Sequence, residues 1–331
     1  MRLPAHIFRS TARDARRHKG MTLVELIVVI TISGIISSIL VFFIVGSMQG
    51  YEAQVRRAEL VDAAEMALRR MGRDIRQALP NSVRVDATGR VIEMLNTVDG
   101  ARYRDGPGNI AHNHGPTEYR LRIPGTDSDG FNIVGFFQNL PGPLPFNSTS
   151  ERLAIYNQTV TGTTGNAYYD GDESLPAPAS YVITRPSVTT FGIDLDGDNP
   201  CSPGIANPNG DDEHCIKPSS SFKFRYASPN QRVYIVDTPV SYVCTPGNGG
   251  NIARYSSYAI TSAQPTNPSA APLSAATNIA LLSTPVTACT FTYSPGTNQR
   301  AGLVTLDITV SDTASGDVVR LLYQAHVDNS P

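Results

Sequence analysis

Hydrophobic and polar positions divide the chain into three stretches of different rhythm. Residues 26–48 run for 23 positions without a charged side chain, a rise of roughly 35 Å as a helix, against a bilayer core of about 30 Å. Glu25 stands at the very edge of this run, where a carboxylate carried to the bilayer centre costs about 2.5–3.5 kcal/mol. From Gln49 a helical period takes over. Leu60, Ala64, Ala67, Leu68, Met71, Ile75 and Ala78 recur at three- and four-residue steps, while Arg56, Arg57, Asp62, Arg69, Arg70, Arg73 and Arg76 mostly fill the positions between. Pro80 ends the pattern, because a proline pushes the preceding residue out of the α region. The spacing predicts one helix over 21–79. Its half over 21–50 is long and apolar enough to span a membrane, and its amphipathic half over 51–79 needs a sheet to lie on. Gly34, Gly46 and Gly50 are the places where it can bend.

Beyond Pro80 the period shortens to two. Runs at 91–95, 119–123, 133–138 and 152–157, separated by Gly, Pro and Asn, predict an antiparallel region with long loops. In the last third, 222–226 and 232–236 flank a Ser-Pro-Asn-Gln turn and read as a hairpin. Runs at 240–244, 254–260, 286–293, 302–310 and 318–327 continue it as a meander. The fold class is therefore α+β: a long N-terminal helix packed on an antiparallel β-sheet with large loop insertions, residues 80–331 forming one β-rich domain. The 27 Gly, 24 Pro and 17% charged residues agree with a loop-rich body.

Charge orients the molecule. The net charge is −2, but residues 1–20 hold six basic side chains (Arg2, Arg9, Arg13, Arg16, Arg17, Lys19) against Asp14 alone; this segment is +5 and the remainder is −7. Basic residues before an apolar span keep that end in the cytoplasm and put the body outside it. An acidic body without a basic cluster excludes nucleic acid as an expected partner. All four cysteines lie in the exported part, in an oxidising compartment, and none forms a C-x-x-C pair. They permit three pairings. Cys201 and Cys215 bracket a Pro/Gly/Asn/Asp segment with no core of its own, and closing about 15 residues removes roughly 3 kcal/mol of unfolded-state freedom. Cys201–Cys215 with Cys244–Cys289 is the favoured set.

Candidate chemistry is sparse. No nucleophile elbow, phosphate loop or zinc-protease motif occurs, so no enzymatic activity is expected. His112 and His114 lie in a Gly/Asn-rich stretch without further ligands at metal spacing, and a lone His326 reads as a strand residue. Asp194, Asp196 and Asp198 alternate as ligands of calcium do, yet the glycine is misplaced and no bidentate Glu follows as in an EF-hand. That loop is either a calcium site, the one cofactor in prospect, or an acidic solvated turn. The same two readings apply to Asp170-Gly171-Asp172-Glu173.

The N-terminal basic stretch differs from an ordinary secretory signal, whose cleavage site follows the apolar core. Here Lys19-Gly20 precedes it. Gly20-Met21-Thr22-Leu23-Val24-Glu25-Leu26-Ile27 resembles the class III signal of type IV prepilins and type II secretion pseudopilins, with Met21 where that family usually has Phe. The resemblance covers about 30 residues. It implies that residues 1–20 are a cytoplasmic leader removed by a prepilin peptidase, that cleavage follows Gly20, and that Met21 becomes the N-methylated first residue. Glu25, fifth in the mature chain, then meets the N-terminal amine of a neighbouring subunit; opposite charges about 4 Å apart are worth roughly 4 kcal/mol at an effective dielectric near 20. The implied partners are other major and minor pilins, joined as a helical bundle, and an inner-membrane assembly platform. The implied location is the bacterial inner membrane, then the pilus or cell surface.

A second, less specific resemblance lies in Pro239-Val240-Ser241-Tyr242-Val243-Cys244, in Cys289-Thr290-Phe291-Thr292-Tyr293, in Gly302-Leu303-Val304-Thr305-Leu306 and in the closing stretch with Ala325-His326-Val327-Asp328-Asn329 and Pro331. These are similar to the large minor pilins of the PilW and MshO type, of mannose-sensitive haemagglutinin (MSHA) pili, and imply a part in pilus biogenesis and adhesion. A J-type pseudopilin of a type II secretion system and a membrane-anchored binding protein that never polymerises are the alternatives.

Overall fold

The computed structural model describes residues 20–105, 120–123, 125, 130–159, 162–195, 213–296, 301–312 and 315–327. Helix α1 (Leu23–Arg76) is continuous for 54 residues, through Gly34, Gly46 and Gly50. The chain forms two compact units, Met1–Arg56 and Arg57–Pro331.

In the second unit, Ala64, Ala67, Leu68, Met71 and Ile75 are each at most 3% exposed, which stabilises the packed helix by about 1.5–3 kcal/mol for each larger side chain. Ala64, Leu68, Met71 and Ile75 join Ile92, Met94, Val240, Tyr242, Ile252, Phe291, Leu306 and Ile308 in one core. That core draws on two sheets. The first is six-stranded and antiparallel: β1 (Arg84–Val85), β2 (Val91–Arg102), β8 (Arg232–Thr245), β9 (Asn251–Ser256) and β10 (Asn278–Ser283) in that order, with β5 (Arg152–Ala154) also on β8. The second is the meander β11 (Val286–Ser294), β12 (Gly302–Ser311) and β13 (Val318–Val327). A disulfide between Cys244 on β8 and Cys289 on β11 ties the two together.

A third sheet, in the order β3 (Phe131–Asn132), β7 (His214–Pro218), β6 (Phe191–Leu195) and β4 (Phe146–Asn147), is built from the chain between β2 and β8. It buries a separate core of Phe131, Phe191, Ile193, Ile216, Phe222 and Phe224. The five-residue helix α2 (Ala167–Gly171) lies in the same insertion.

Several boundaries differ from those the sequence predicts. The helix stops at Arg76 instead of 79, because strand β2 takes over the next residues: Ala78 bridges to Asn96, Leu79 N–H donates to Leu95 C=O at 2.8 Å and Thr97 N–H donates to Gln77 C=O at 3.1 Å. Residues 222–226 form no hairpin with 232–236. Phe224 bridges instead to Tyr181, and the runs 232–236 and 240–244 are one 14-residue strand on β2. Pro239 is tolerated inside it because the opposing Leu95 directs its N–H to Ser82 Oγ (3.2 Å) and its C=O to Leu79, so no ladder bond needs the missing donor. Residues 133–138 and 120–123 are not strands, and β10 is a strand the alternation did not reveal; its side chains are mostly exposed on both faces, so no inside–outside pattern marks it.

Candidate assembly helix and its anchorage

The start of α1 follows from local chemistry. Thr22 precedes the first helical residue, its carbonyl accepts from Leu26 N–H at 3.1 Å and its Oγ1 accepts from Glu25 N–H at 3.2 Å. Thr-x-x-Glu is a capping-box spacing, with a carboxylate in the first turn where the helix dipole favours it. Gly20 and Met21 lie just outside the helix and are exposed. Gly20, Met21 and Glu25, the residues expected to serve cleavage, methylation and assembly, thus fall within six residues at the end of one helix.

Every residue from 20 to 52 is exposed, Phe42 and Phe43 at 83% and 76%. This part of α1 is long and apolar enough to cross a membrane, and none of its apolar window is buried by the protein. Its hydroxyls are adapted to an apolar setting: Thr31, Ser38 and Ser47 donate to carbonyls about one turn back, Val28 (2.9 Å), Ile35 (2.7 Å) and Ile44 (3.0 Å). Such back-bonding spares each hydroxyl the cost of an unpaired donor outside water.

The anchored part is held by a carboxylate that sequence reasoning passed over. Asp74 is 4% exposed. Its Oδ2 accepts from the Tyr242 hydroxyl and from Arg254 Nε, both at 2.7 Å, and its Oδ1 lies 3.3 Å from Arg70 Nε. Burial, with Asp74 next to it, pushes the Tyr242 hydroxyl well above its ordinary pKa. Burial works against the Arg254 cation, but Asp74 outweighs it and raises the pKa. The signal in the sequence was position: Asp74 falls three residues after Met71 and four before Ala78, on the apolar stripe. One residue pair sets the distance between helix and meander. A Cβ on Gly72 would stand 2.5 Å from the Tyr323 ring, whose hydroxyl accepts from Arg76 at 3.2 Å.

The other predicted positions separate from this helix. Cys215 is disulfide-bonded and buried, whereas Cys201, Asp196, Asp198, His112 and His114 lie outside the described residues. Asp194 ends in β6, its Oδ1 accepting from Leu195 N–H at 2.9 Å. Among the described residues no group of three or more His, Cys, Asp or Glu side chains is placed to hold a metal ion. Asp170 and Asp172 are buried and so do not form a solvated turn, while Glu173 is exposed. Asp170 is fully buried and accepts from Val182 N–H at 2.9 Å, Asp172 accepts from Ser174 and Ser262, and Glu173 pairs with Arg152 at 3.0 Å. These carboxylates accept from backbone, hydroxyl and cation donors, Ser262 reaching Asp172 from beyond β9. His326 is an exposed residue of β13 opposite Leu303. A cavity of about 200 Å³ borders Asn81, Arg84, Tyr168 and Tyr293. Its cation is already committed: Arg84 pairs with buried Glu93 at 2.7 Å, donates to the carbonyls of Thr261 and Ser262, and stacks on the Tyr168 ring.

No curated protein and no solved structure matches this chain. Residues 15–41, which span Gly20, Met21, Glu25 and the first turns of α1, match the prokaryotic N-terminal methylation motif. The motif implies processing by a prepilin peptidase and pilin assembly, and the exposed apolar helix fits membrane anchoring. At its N-terminus the chain is thus type IV pilin-like, carrying the class III signal on a helix whose apolar half is exposed among the described residues.

Proposed function

We propose that this protein is a minor pilin of an MSHA-like type IV pilus, that it assembles through its methylated N-terminal helix, and that it takes part in pilus initiation and adhesion instead of catalysis. The observation that carries the reading is the methylation motif on α1. In the bilayer the exposed apolar half stores the subunit; in the filament the same surface packs against the equivalent helices of neighbours. Glu25 neutralises the amine of an adjacent Met21, offsetting the burial of both charges. The long insertion between β2 and β8, with its own sheet, supports a pilus over a secretion pseudopilus and placement at a tip, where an enlarged body does not interrupt a regular lattice.

Mass spectrometry of the mature protein tests the assembly reading directly. The expected species begins at Met21 and carries N-methylation, with residues 1–20 removed; an intact leader overturns it. Immunogold labelling tests placement, and even decoration of the shaft overturns the tip assignment.

A further inference from the structure

Most free sheet edges in this fold are blunted. At the ends of their sheets β1, β3 and β4 are two residues each. The outer edge of β11 is taken up by loop backbone, with Val286 N–H donating to Gly250 C=O at 2.8 Å and Phe291 N–H to Gly89 C=O at 2.7 Å. β13 displays Arg320 and His326. Short strands, covering loops and charges are the devices by which sheets avoid pairing with other chains. β10 differs: Asn278-Ile279-Ala280-Leu281-Leu282-Ser283 holds neither a charge nor a proline, and it ends the six-stranded sheet.

The strand is fixed at both ends. Asn278 Nδ2 donates to Ser257 Oγ at 2.9 Å, Leu282 packs against the main core and Ser283 is buried. Between them Ile279 and Leu281 stand 55% and 61% exposed on one face, with the half-buried Tyr255 opposite Ile279. Main-chain groups alternate in direction along an antiparallel pair. Thr277 N–H donates to Ser257 C=O, one step before the pair Asn278 and Ser256, so the N–H and C=O of Asn278 and Ala280 point away from β9. Neither residue makes a further backbone hydrogen bond among the described residues. A preformed row of donors and acceptors flanked by two apolar side chains is complementary to an extended chain with apolar residues at alternate positions.

We propose that β10 is a strand-addition site for an extended segment of a different protein, whose apolar side chains at every second position cover Ile279 and Leu281. A second copy of this chain fits the edge less well. Pairing with β9 is regular only from Asn278 to Leu281, so two β10 strands laid edge to edge share about 14 Å and two exposed apolar side chains from each copy, far short of the roughly 800 Å² that each partner buries in a stable dimer. A segment of another protein is not bound by that symmetry, and its flanks can continue past both ends of β10 over the surface beside it. The site lies in the folded body and stands apart from the way α1 assembles.

The test uses the full-length protein in detergent micelles and a fluorescent peptide of alternating threonine and valine with a lysine at each end. Saturable binding by anisotropy is expected, together with slower hydrogen exchange over residues 278–283. The same peptide with proline in place of its central valine lacks a main-chain donor and is expected to bind at least about tenfold more weakly. Ala280→Pro removes an outward N–H and none that β9 needs, and Ile279→Lys with Leu281→Lys puts charge on the edge; each is expected to weaken binding by about the same factor. No binding, protection elsewhere in the chain, or binding unchanged in these variants overturns the site. Protection of 278–283 that rises with protein concentration in the absence of peptide gives the edge to a second copy and overturns the choice of partner. The Cys244–Cys289 disulfide on non-reducing gels reports folding of each variant; for any that lacks it, Leu281→Lys alone takes its place, with an expected loss of about threefold.

Discussion

Residues 23–52 of α1 hold a single carboxylate at each end and otherwise no charge, and all of them are exposed; residues 57–76 hold nine charged side chains, Arg57, Glu59, Asp62, Glu65, Arg69, Arg70, Arg73, Asp74 and Arg76, yet bury Ala64, Leu68, Met71 and Ile75 almost completely. Hydrophobicity and burial are thus inverted between two parts of one helix. Burial depends on a partner surface, and among the described residues the sheets bury only side chains of the charged part. Under the proposed function the apolar part finds its partner outside the chain, in lipid or in other subunits.

The sharpest way to break this contrast is Glu25→Val. It removes the one charge at the start of the uncovered part, and is expected to abolish surface assembly while the subunit stays in the membrane, read as loss from the sheared surface fraction. Next in size is Asp74→Ala, which strands Arg254 and Tyr242 without their shared acceptor; urea unfolding of the body should lose about 3–5 kcal/mol. Ile36→Ala, in the apolar part, should leave that unfolding unchanged within about 0.5 kcal/mol. Equal losses from both changes would remove the distinction.

Cys244→Ser with Cys289→Ser opens a loop of 45 residues between the two sheets and should cost roughly 4 kcal/mol on the chain-entropy account, measured by the same titration. Gly72→Ala drives a methyl into Tyr323 and should cost about 1–3 kcal/mol, with Tyr323→Phe in the same chain leaving most of that loss in place because the ring carbon is the nearest atom.

The smallest effect lies in the insertion. His214 is buried, and its Nδ1 accepts from Phe137 N–H at 3.0 Å. Burial holds its pKa below the ordinary value, against the opposing pull of Asp194 and Asp99. The unfolded chain then binds the proton more readily, so stability falls as pH drops below about 6.5. A melting temperature that declines between pH 7 and 5, and declines less in His214→Gln, is the expected result; an unchanged slope would exclude His214 as the cause.

Legibility tracked the range of the forces. The cap of Thr22 on Glu25 N–H is local, yet it came to light only in the structure. The uncharged run and the helical period that follows Gln49 are local too, and each could be read from neighbouring residues. So could the meander of β11, β12 and β13, where alternation is clean and each strand pairs with the next. Residues 222–226 looked equally strand-like, but their bonds go to Tyr181, more than 40 positions away. Asp170 and Asp172, open in the sequence to a calcium site or a solvated turn, are buried under donors from other segments, Val182 twelve positions on and Ser262 ninety.

The sequence by itself determined the long helix, its division into an uncharged and an amphipathic part, the processing signal and the α+β class, because periodicity and capping act over one or two turns. Only the tertiary structure decided where the helix yields to β2, which carboxylate is buried, and which sheets the Cys244–Cys289 bridge joins. Those outcomes depend on backbone donors and acceptors brought together from far along the chain, and a buried polar group goes wherever its partner is.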